Sequence, residues 1–344
     1  MTFDRDPRIA VVLGAGGVVG HAFHVGVLST LADEFGWDAR RARLVIGTSA
    51  GSVVGAGLRA GLGPLDMRRR LASERLSPEG AMLVGRGEAA VAALGRIDTG
   101  VNGADVDRAE ESALGTLVRR LRIASPERVR RALREPWRVT PGSLVSAVLP
   151  PGRRPTAHLR VPYDAMIGES WPDTSLWIVA VDLDAGPRVV FGRPGAPPVT
   201  VGSAVEASCA IPGYFTPVTI EGVRYVDGAV HSTTNADLVA ELDPPPDLVI
   251  VVAPMSAVSF ALPRTRTLSL RQLVRRQVAA EIAGLRTRGL TTVTFQPTAD
   301  DLAVMLGDTM DAGKASIVCA RVIESTRAHV HEPEIAERLA LLRR

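Results

Sequence analysis

The sequence predicts a single α/β domain in which helices cover both faces of a mostly parallel β-sheet. Residues 9–13 and 44–46 are short, unbroken apolar runs, which is typical of strands buried on both faces. Each run is followed by a glycine-rich turn and then by apolar residues at helical spacing. Strands that alternate with helices in this way form parallel sheets. A chain of 344 residues, 46% of them hydrophobic, can bury a core of that size.

The elements follow one another in a regular order at the start of the chain. The strand at residues 9–13 leads through a glycine-dense loop, residues 14–20, into a first helix. The strand at residues 44–46 leads through the turn at residues 47–51 into a second helix at residues 52–58. This repeated strand–loop–helix unit is the reason to expect a parallel sheet.

The middle and the end of the chain are less regular. Residues 61–172 consist of Arg-rich helical pieces and turns, and we expect them to form a helical insertion that covers one edge of the sheet. Strands resume at residues 176–181 and 189–191, which are spaced to form a hairpin. The remaining predicted elements are a helix at residues 203–210, strands at 223–228 and 248–253, and a mainly helical tail from residue 269. We predict one domain over residues 1–344, with its core motifs in residues 11–237 and C-terminal strand and helices in about 245–344.

Composition and charge argue against several classes of function. The 40 basic and 37 acidic residues are interspersed rather than clustered, which does not indicate nucleic-acid binding. Cys209 and Cys319 have neither metal-binding spacing nor enough partners for a disulfide framework, so we expect buried free thiols and no metal. The N-terminal residues do not resemble a secretion signal, and no apolar stretch is long enough to cross a bilayer. We therefore expect a cytoplasmic protein that needs no cofactor.

A serine stands where a nucleophile would be exposed at the end of a strand. Gly47-x-Ser49-x-Gly51 lies between a predicted buried strand and a predicted helix. In such an elbow the serine projects from a strained turn, and the flanking glycines let neighbouring backbone approach. The alternative is an ordinary small-residue turn in which Thr48 or Ser49 caps the helix. The strand–turn–helix context favours the nucleophile.

The glycine loop fits an anion-binding role better than a dinucleotide-binding one. In the pattern G-x-G-x-x-G starting at Gly14, the last position is Val19, and the next strand does not end in the acid that would hold a ribose. Consecutive glycines before a helix can instead aim backbone N–H groups at one point, as an oxyanion hole requires. The loop residues assigned to this role are Gly14, Gly16, Gly17, Val18 and Gly20.

Taken together, these motifs resemble the signatures of patatin-like phospholipases. The loop at 14–20, the elbow at 47–51 and the later Asp227-Gly228-Ala229 occur in the order of that family. Two further segments, residues 180–186 and 207–217, are also similar to it. The resemblance implies a three-layer α/β/α fold, hydrolysis of lipid acyl esters, and a catalytic dyad with Ser49 as nucleophile and Asp227 as its base. It implies a lipid or small ester as substrate.

Two departures from the family pattern motivate an alternative function. Val19 stands where the family often has Arg or Lys, a basic residue that some members lack, and Ala15 replaces a usual glycine. A regulatory or scaffold protein with little turnover is therefore the alternative. The Arg-rich segment at 119–138 is interpreted as a solvated helix face, with a lid or a peripheral contact to an anionic membrane as the other interpretation.

Histidines and other polar residues offer a further alternative. A Ser–His–Asp triad would need a late histidine, but His329 and His331 lie in a polar helical tail where solvation is expected. His231 lies four residues after Asp227 and is expected on a surface loop. His21 and His24 follow the glycine loop, where packing on a helix face is expected and lining the site entrance is the alternative. Asn235 and Asp237 are candidates either to cap a helix near the site or to support the loop that carries Asp227.

Overall fold

The computed structural model describes residues 6–95, 152, 154–258 and 266–343. Eight strands in these residues form one sheet. They are β1 (Ile9–Leu13), β2 (Leu44–Thr48), β3 (Ser175–Asp182), β4 (Arg188–Phe191), β5 (Val218–Ile220), β6 (Val223–Asp227), β7 (Leu248–Val252) and β8 (Thr292–Phe295).

The sheet is mixed and mostly parallel, as predicted. Strands β8, β7, β1, β2 and β3 lie side by side in this order, and all four of these pairings are parallel. Strands β4 and β6 pair antiparallel with β3, and β5 pairs antiparallel with β6. Every residue of β1, β2 and β7 is buried, which explains their unbroken apolar sequences.

Strand β3 pairs with β2, β4 and β6, and these pairings determine where β6 ends. Strand β4 pairs with residues 178–181 of β3, a stretch that overlaps both the β2 pairing at 175–179 and the β6 pairing at 180–182. Because one edge of a strand holds one partner at each residue, β4 occupies one edge, and β2 and β6 share the other. Strand β6 runs antiparallel along this edge and ends opposite Ala180, directly beyond the end of β2 opposite Val179.

Helices cover both faces of the sheet and complete three layers. Alternate residues of β1 point to opposite sides, with Val11 and Leu13 in one core and Ala10 and Val12 in the other. The helices are α1 (Gly17–Phe35), α2 (Ala50–Arg59), α3 (Pro64–Leu71), α4 (Pro78–Gly95), α5 (Ala157–Ile167), α6 (Val201–Ser208), α7 (Arg266–Thr287), α8 (Ala299–Met305), α9 (Ala315–Val330) and α10 (Pro333–Leu339). Helices α1, α2, α6 and α9 contribute to the first core, and α7 contributes to the second.

Most predicted elements are confirmed, and two strands were missed. The hairpin of β3 and β4 is present, and α3, α4 and α5 give the described part of the 61–172 insertion its helical character. Strand β8 interrupts the tail that was predicted to be mainly helical, and the three-residue β5 was not predicted. Both are short, and both contain threonine among their few apolar residues, so neither forms the unbroken apolar run that marks the other buried strands.

Part of the insertion cannot be compared with its prediction. The Arg-rich segment at 119–138 lies outside the described residues, and the cover over the Ser49 edge stays a prediction. Within the parts of the chain that the structure describes, none of the helices combines the length and the apolar character needed to cross a membrane.

Candidate active site

Ser49 occupies a strained turn at the end of β2. Its φ of 53° and ψ of −120° place it between the last residue of β2 and the first residue of α2, and its residue surface is only 3% exposed. A positive φ is uncommon for a residue that carries a side chain, and it persists only where surrounding structure enforces it. The Ser49 amide donates to Ser208 Oγ at 2.9 Å, and that hydroxyl donates to the Val179 carbonyl at 2.6 Å. Strand β3 therefore anchors the turn.

The two glycines of the elbow allow backbone to pack against backbone. A Cβ atom at Gly51 would overlap the carbonyl oxygen of Leu13 at the end of β1. A Cβ atom at Gly47 would lie 2.6 Å from the Cα atom of Ser52 in α2. Larger residues at either position would push α2 away from the sheet and displace Ser49 with it.

Asp227 reaches Ser49 because β6 ends beside β2. Its residue surface is 3% exposed, and its amide donates to the Ala210 carbonyl at 3.0 Å. One carboxylate oxygen, Oδ1, accepts from the Ala229 amide at 2.8 Å. Burial raises the pKa of Asp227 to about 6, although the Ser49 side chain and the hydrogen bond from the Ala229 amide act in the lowering direction. The carboxylate thus lies close enough to Ser49 for the serine side chain to affect its pKa.

Gly228 is required for this approach. A Cβ atom at this position would overlap the Val179 carbonyl oxygen and would lie 3.1 Å from Cγ2 of Thr48. The Asp-Gly pair, which is indistinguishable from an ordinary turn in the sequence, is a point of close contact between three strands. Ala229 contributes through its amide, which holds Asp227.

The glycine loop is shorter than predicted, because α1 already begins at Gly17. The Gly14 amide continues the sheet by donating to the Val252 carbonyl at 2.9 Å, and the Gly20 amide is bonded within the helix to the Gly16 carbonyl at 2.8 Å. The Ala15 amide donates to Thr233 O at 2.7 Å, and the Val19 amide to Thr309 O at 3.0 Å. Of the residues predicted for the oxyanion loop, Gly14 and Gly20 therefore have amides that are already bonded to other acceptors.

Three consecutive amides remain for an anion. The backbone N–H groups of Gly16, Gly17 and Val18 donate to no acceptor among the described residues. They lie at the N-terminus of the 19-residue helix α1, where the helix dipole favours negative charge. Because Leu13 at the end of β1 is paired with Gly47 near the end of β2, this helix start lies at the same end of the parallel strands as Ser49.

A buried histidine hydrogen-bonds to the start of the glycine loop. His24 Nε2 lies 2.7 Å from the Gly14 carbonyl oxygen, and burial lowers the pKa of His24 to about 3. The ring is thus neutral, and its Nε2 carries the hydrogen because a carbonyl can only accept. In the described part of the chain, no histidine hydrogen-bonds to Ser49 or Asp227. The arrangement is a serine and a carboxylate without an intervening imidazole.

The sequence match and the geometry identify the family. A family model described as Patatin-like phospholipase matches residues 11–240, which is more than half of the chain. The chain belongs to the patatin-like phospholipase family. The predicted resemblance and the predicted fold are thereby confirmed.

Two solved structures are also similar to this patatin-like chain. VipD from Legionella pneumophila aligns at 14% sequence identity with a TM-score of 0.44, over 98% of this chain and 67% of VipD. The heterodimeric ExoU–SpcU complex from the type III secretion system of Pseudomonas aeruginosa aligns at 17% identity with a TM-score of 0.30. That alignment covers 97% of this chain and 61% of the chain it matches.

The structure brings the predicted patatin-like motifs together and adds residues that sequence reasoning did not assign. Ser208 lies in the segment similar to the family, but only its contacts show that it anchors Ser49. Asn235 donates to Thr48 Oγ1 at 3.1 Å and to the Ser232 carbonyl at 2.7 Å, so it supports the loop after Asp227, as predicted. Asp237 pairs with Arg188 at the surface instead.

The two cysteines are buried and unpaired, as predicted, and one of them borders the site. Cys209 Sγ lies 3.7 Å from Ser52 Oγ. Burial, followed by the charge of Asp227, raises the pKa of Cys209 to about 12, so the thiol is protonated at neutral pH. It is a poor nucleophile in this state. Ser49 is therefore the candidate nucleophile of this site.

Proposed function

We propose that this chain hydrolyses carboxyl esters of lipids through an acyl-Ser49 intermediate. The observation that carries the proposal is the close approach of the buried Asp227 carboxylate to Ser49, because β6 ends directly beyond β2 and the Ser49 side chain acts on the pKa of Asp227. A carboxylate with a pKa of about 6 is a stronger base than one in water, and it is still ionised at neutral pH. Membership of the patatin-like phospholipase family supports a lipid as the acyl donor.

In the proposed reaction Asp227 accepts the hydroxyl proton as Ser49 Oγ attacks the ester carbonyl carbon. The oxygen of the tetrahedral intermediate accepts hydrogen bonds from the free amides of Gly16, Gly17 and Val18. Collapse of the intermediate breaks the bond to the leaving alcohol, which takes the proton from Asp227. A water molecule then gives a proton to Asp227, attacks the acyl-serine, and releases the carboxylic acid as Ser49 recovers its proton. One preorganised oxyanion donor contributes ~10²–10³ in rate.

Val19 bears on the alternative of a scaffold protein without turnover. Its side chain is 1% exposed and packs in the core, and its amide is bonded to the Thr309 carbonyl. Because the side chain at this position faces the protein interior, valine fits the packing of this chain. The amide of Val19 is already bonded, so valine in place of a basic residue removes no free donor amide. The proposed oxyanion site consists of backbone groups, which the substitution leaves in place.

Labelling with a fluorophosphonate probe tests the nucleophile. The wild-type protein should be modified, whereas Ser49→Ala should be spared and Cys209→Ala should be labelled like the wild type. In parallel, Asp227→Asn should reduce kcat for nitrophenyl esters by ~10²–10⁴. Equal labelling of the wild type and Ser49→Ala, or full turnover by Asp227→Asn, would contradict the proposal.

A further inference from the structure

A glutamate on the helix α7 accepts three hydrogen bonds from the loop that follows Asp227. Glu281 is partly buried, and its carboxylate accepts hydrogen bonds from the hydroxyls of Ser232 and Thr234 and from the Ala236 amide, the last at 2.9 Å. Burial raises the pKa of Glu281 despite these three donors. One turn earlier in α7, Gln277 Nε2 donates to the His231 carbonyl at 3.1 Å.

These hydrogen bonds require both oxygens of Glu281 to act as acceptors. Ser232 Oγ already accepts from the amides of Thr234 and Asn235, at 3.2 and 3.0 Å, so both of its lone pairs are occupied. Its own proton must therefore point to Glu281. Thr234 Oγ1 and the Ala236 amide both meet Oε2 of Glu281, which accepts twice.

The residues between these donors face the candidate active site. The Thr233 carbonyl accepts from the Ala15 amide of the glycine loop at 2.7 Å. Asn235 donates to the Thr48 hydroxyl, next to Ser49. Along the loop, residues 232, 234 and 236 thus bind Glu281, while residues 233 and 235 bind the other two parts of the site.

We infer that Glu281 is a positioning residue, which sets the relative places of Asp227, the elbow and the free amides through this one loop. The inference rests on the proposed function. Its physical basis is that the dyad and the oxyanion donors come from separate segments, and a misplacement of about 1 Å between reacting groups can reduce the rate ~10²-fold. Glu281 acts through the loop and does not contact the reacting atoms.

Glu281→Gln tests the inference with almost no change in shape. Oε2 accepts two donors and Oε1 accepts one, so whichever oxygen becomes an NH₂ group will oppose at least one donor. We expect kcat for nitrophenyl esters to fall ~10- to 100-fold while KM changes less than ~2-fold, because the loss acts on geometry rather than on substrate binding.

Asp66→Asn is the matched control. Asp66 is a partly buried carboxylate in the first turn of α3 that accepts from the amide and hydroxyl of Ser77 and from Arg69, neither of which belongs to the loops of the site. It should lose stability like Glu281→Gln but keep its kcat. Equal kcat values for the two variants would overturn the inference. If Glu281→Gln does not fold, Thr234→Val removes a single donor, and we expect it to lower kcat in the same direction.

Hydrogen exchange separates failure of this inference from failure of the proposed function. In Glu281→Gln, the peptides that contain residues 13–20 and 228–240 should exchange faster than in the wild type, whereas Asp66→Asn should leave them unchanged. This readout needs no turnover. A wild type without esterase activity would contradict the proposed function, and unchanged exchange in both peptides would overturn the positioning role.

Discussion

Ser49 and Asp227 are both held in states that most residues of a folded protein avoid. Ser49 has a positive φ, a conformation that costs roughly 1–3 kcal/mol for a residue with a side chain. Asp227 is a buried carboxylate whose pKa is raised, with no cation among the hydrogen-bond partners of its side chain. Such strained or electrostatically unfavourable groups concentrate at functional sites. Their proximity, where β2 and β6 end beside each other along β3, is the strongest single reason to regard them as a dyad.

The raised pKa of Asp227 predicts how activity depends on pH. The base must be ionised, so kcat/KM should fall as pH decreases through about 6 and then drop about tenfold per pH unit. Cys209, whose pKa is raised to about 12, stays neutral throughout this range. A pH series of ester hydrolysis checks this prediction. The Glu281→Gln variant should show the same decrease of kcat/KM below about pH 6, at a lower rate throughout. If kcat/KM fell only near pH 4, burial would not have raised the pKa of Asp227.

The same carboxylate should lower stability at neutral pH. Because its pKa rises from 3.8 to about 6 on folding, the folded state binds the proton more tightly than the unfolded state. The contribution of protonated Asp227 to the free energy of unfolding is fully present below about pH 4 and is lost as pH rises through about 6. Asp227→Asn should therefore be more stable than the wild type by roughly 1–3 kcal/mol at pH 7.5, with a smaller difference at pH 4. Urea unfolding at the two pH values measures it, and an equal difference at both would exclude this cause.

At the scale of elements, the site depends on how closely strands and helices approach one another. Strand β6 can end beside β2 only because β4 occupies the opposite edge of β3. Helix α2 can start directly over the end of β1 only because Gly51 has no side chain. The glycines of the motifs therefore serve packing, and most are not at positions that need a positive φ.

Gly51→Ala should disturb α2 and Ser49 together. The added methyl group would overlap the Leu13 carbonyl, which is backbone and cannot rotate away. We expect a loss of ~1–3 kcal/mol or more in the free energy of unfolding and a large loss of fluorophosphonate labelling. Gly85→Ala is the control, because nothing lies within 4 Å of a Cβ atom at this exposed position in α4. It should gain ~0.5–1 kcal/mol and keep full labelling.

At the scale of the whole molecule, the family match ends before the structure is complete. The match stops at residue 240, yet β7 pairs with β1 near the middle of the sheet, and all five of its residues are fully buried. Helix α9 packs so tightly on α1 that a side chain at Gly26 would collide with Val322. Glu281 also lies in this C-terminal part. Residues beyond 240 are therefore integral to the sheet, the core and the candidate site.

A chain that ends at residue 240 should not fold. It would leave the inner edge of β1 without its hydrogen-bond partner and would expose apolar surface on both faces of the sheet. We expect aggregation, or a protein without cooperative unfolding, in circular dichroism, whereas the full chain under the same conditions unfolds in one transition. A folded fragment that still reacts with a fluorophosphonate would show that the C-terminal part is dispensable.

Sequence reasoning recovered the parts of the fold that have strong local patterns. The buried strands β1, β2 and β7, the hairpin of β3 and β4, and the helices that follow β1 and β2 were all predicted. The short strands β5 and β8 were missed, because each mixes threonine with only two apolar residues, whereas the equally short β4 was recognised from the turn that joins it to β3. The start of α1 at Gly17 was also missed, since glycine is a poor helix former and gives no local sign of the contacts that hold this turn.

By itself, the sequence determined the fold class, the family and the elbow that presents Ser49, since a strand, a turn and a helix are encoded by residues adjacent in the chain. Only the tertiary structure decided which loop amides are free, how Asp227 meets Ser49, and that His24 and Glu281 support the site. These features depend on pairing between segments that are far apart in the chain, such as β6 with β3 and α7 with the loop after Asp227. Hydrogen bonds of this kind leave no periodic pattern, because each depends on the position of a distant partner.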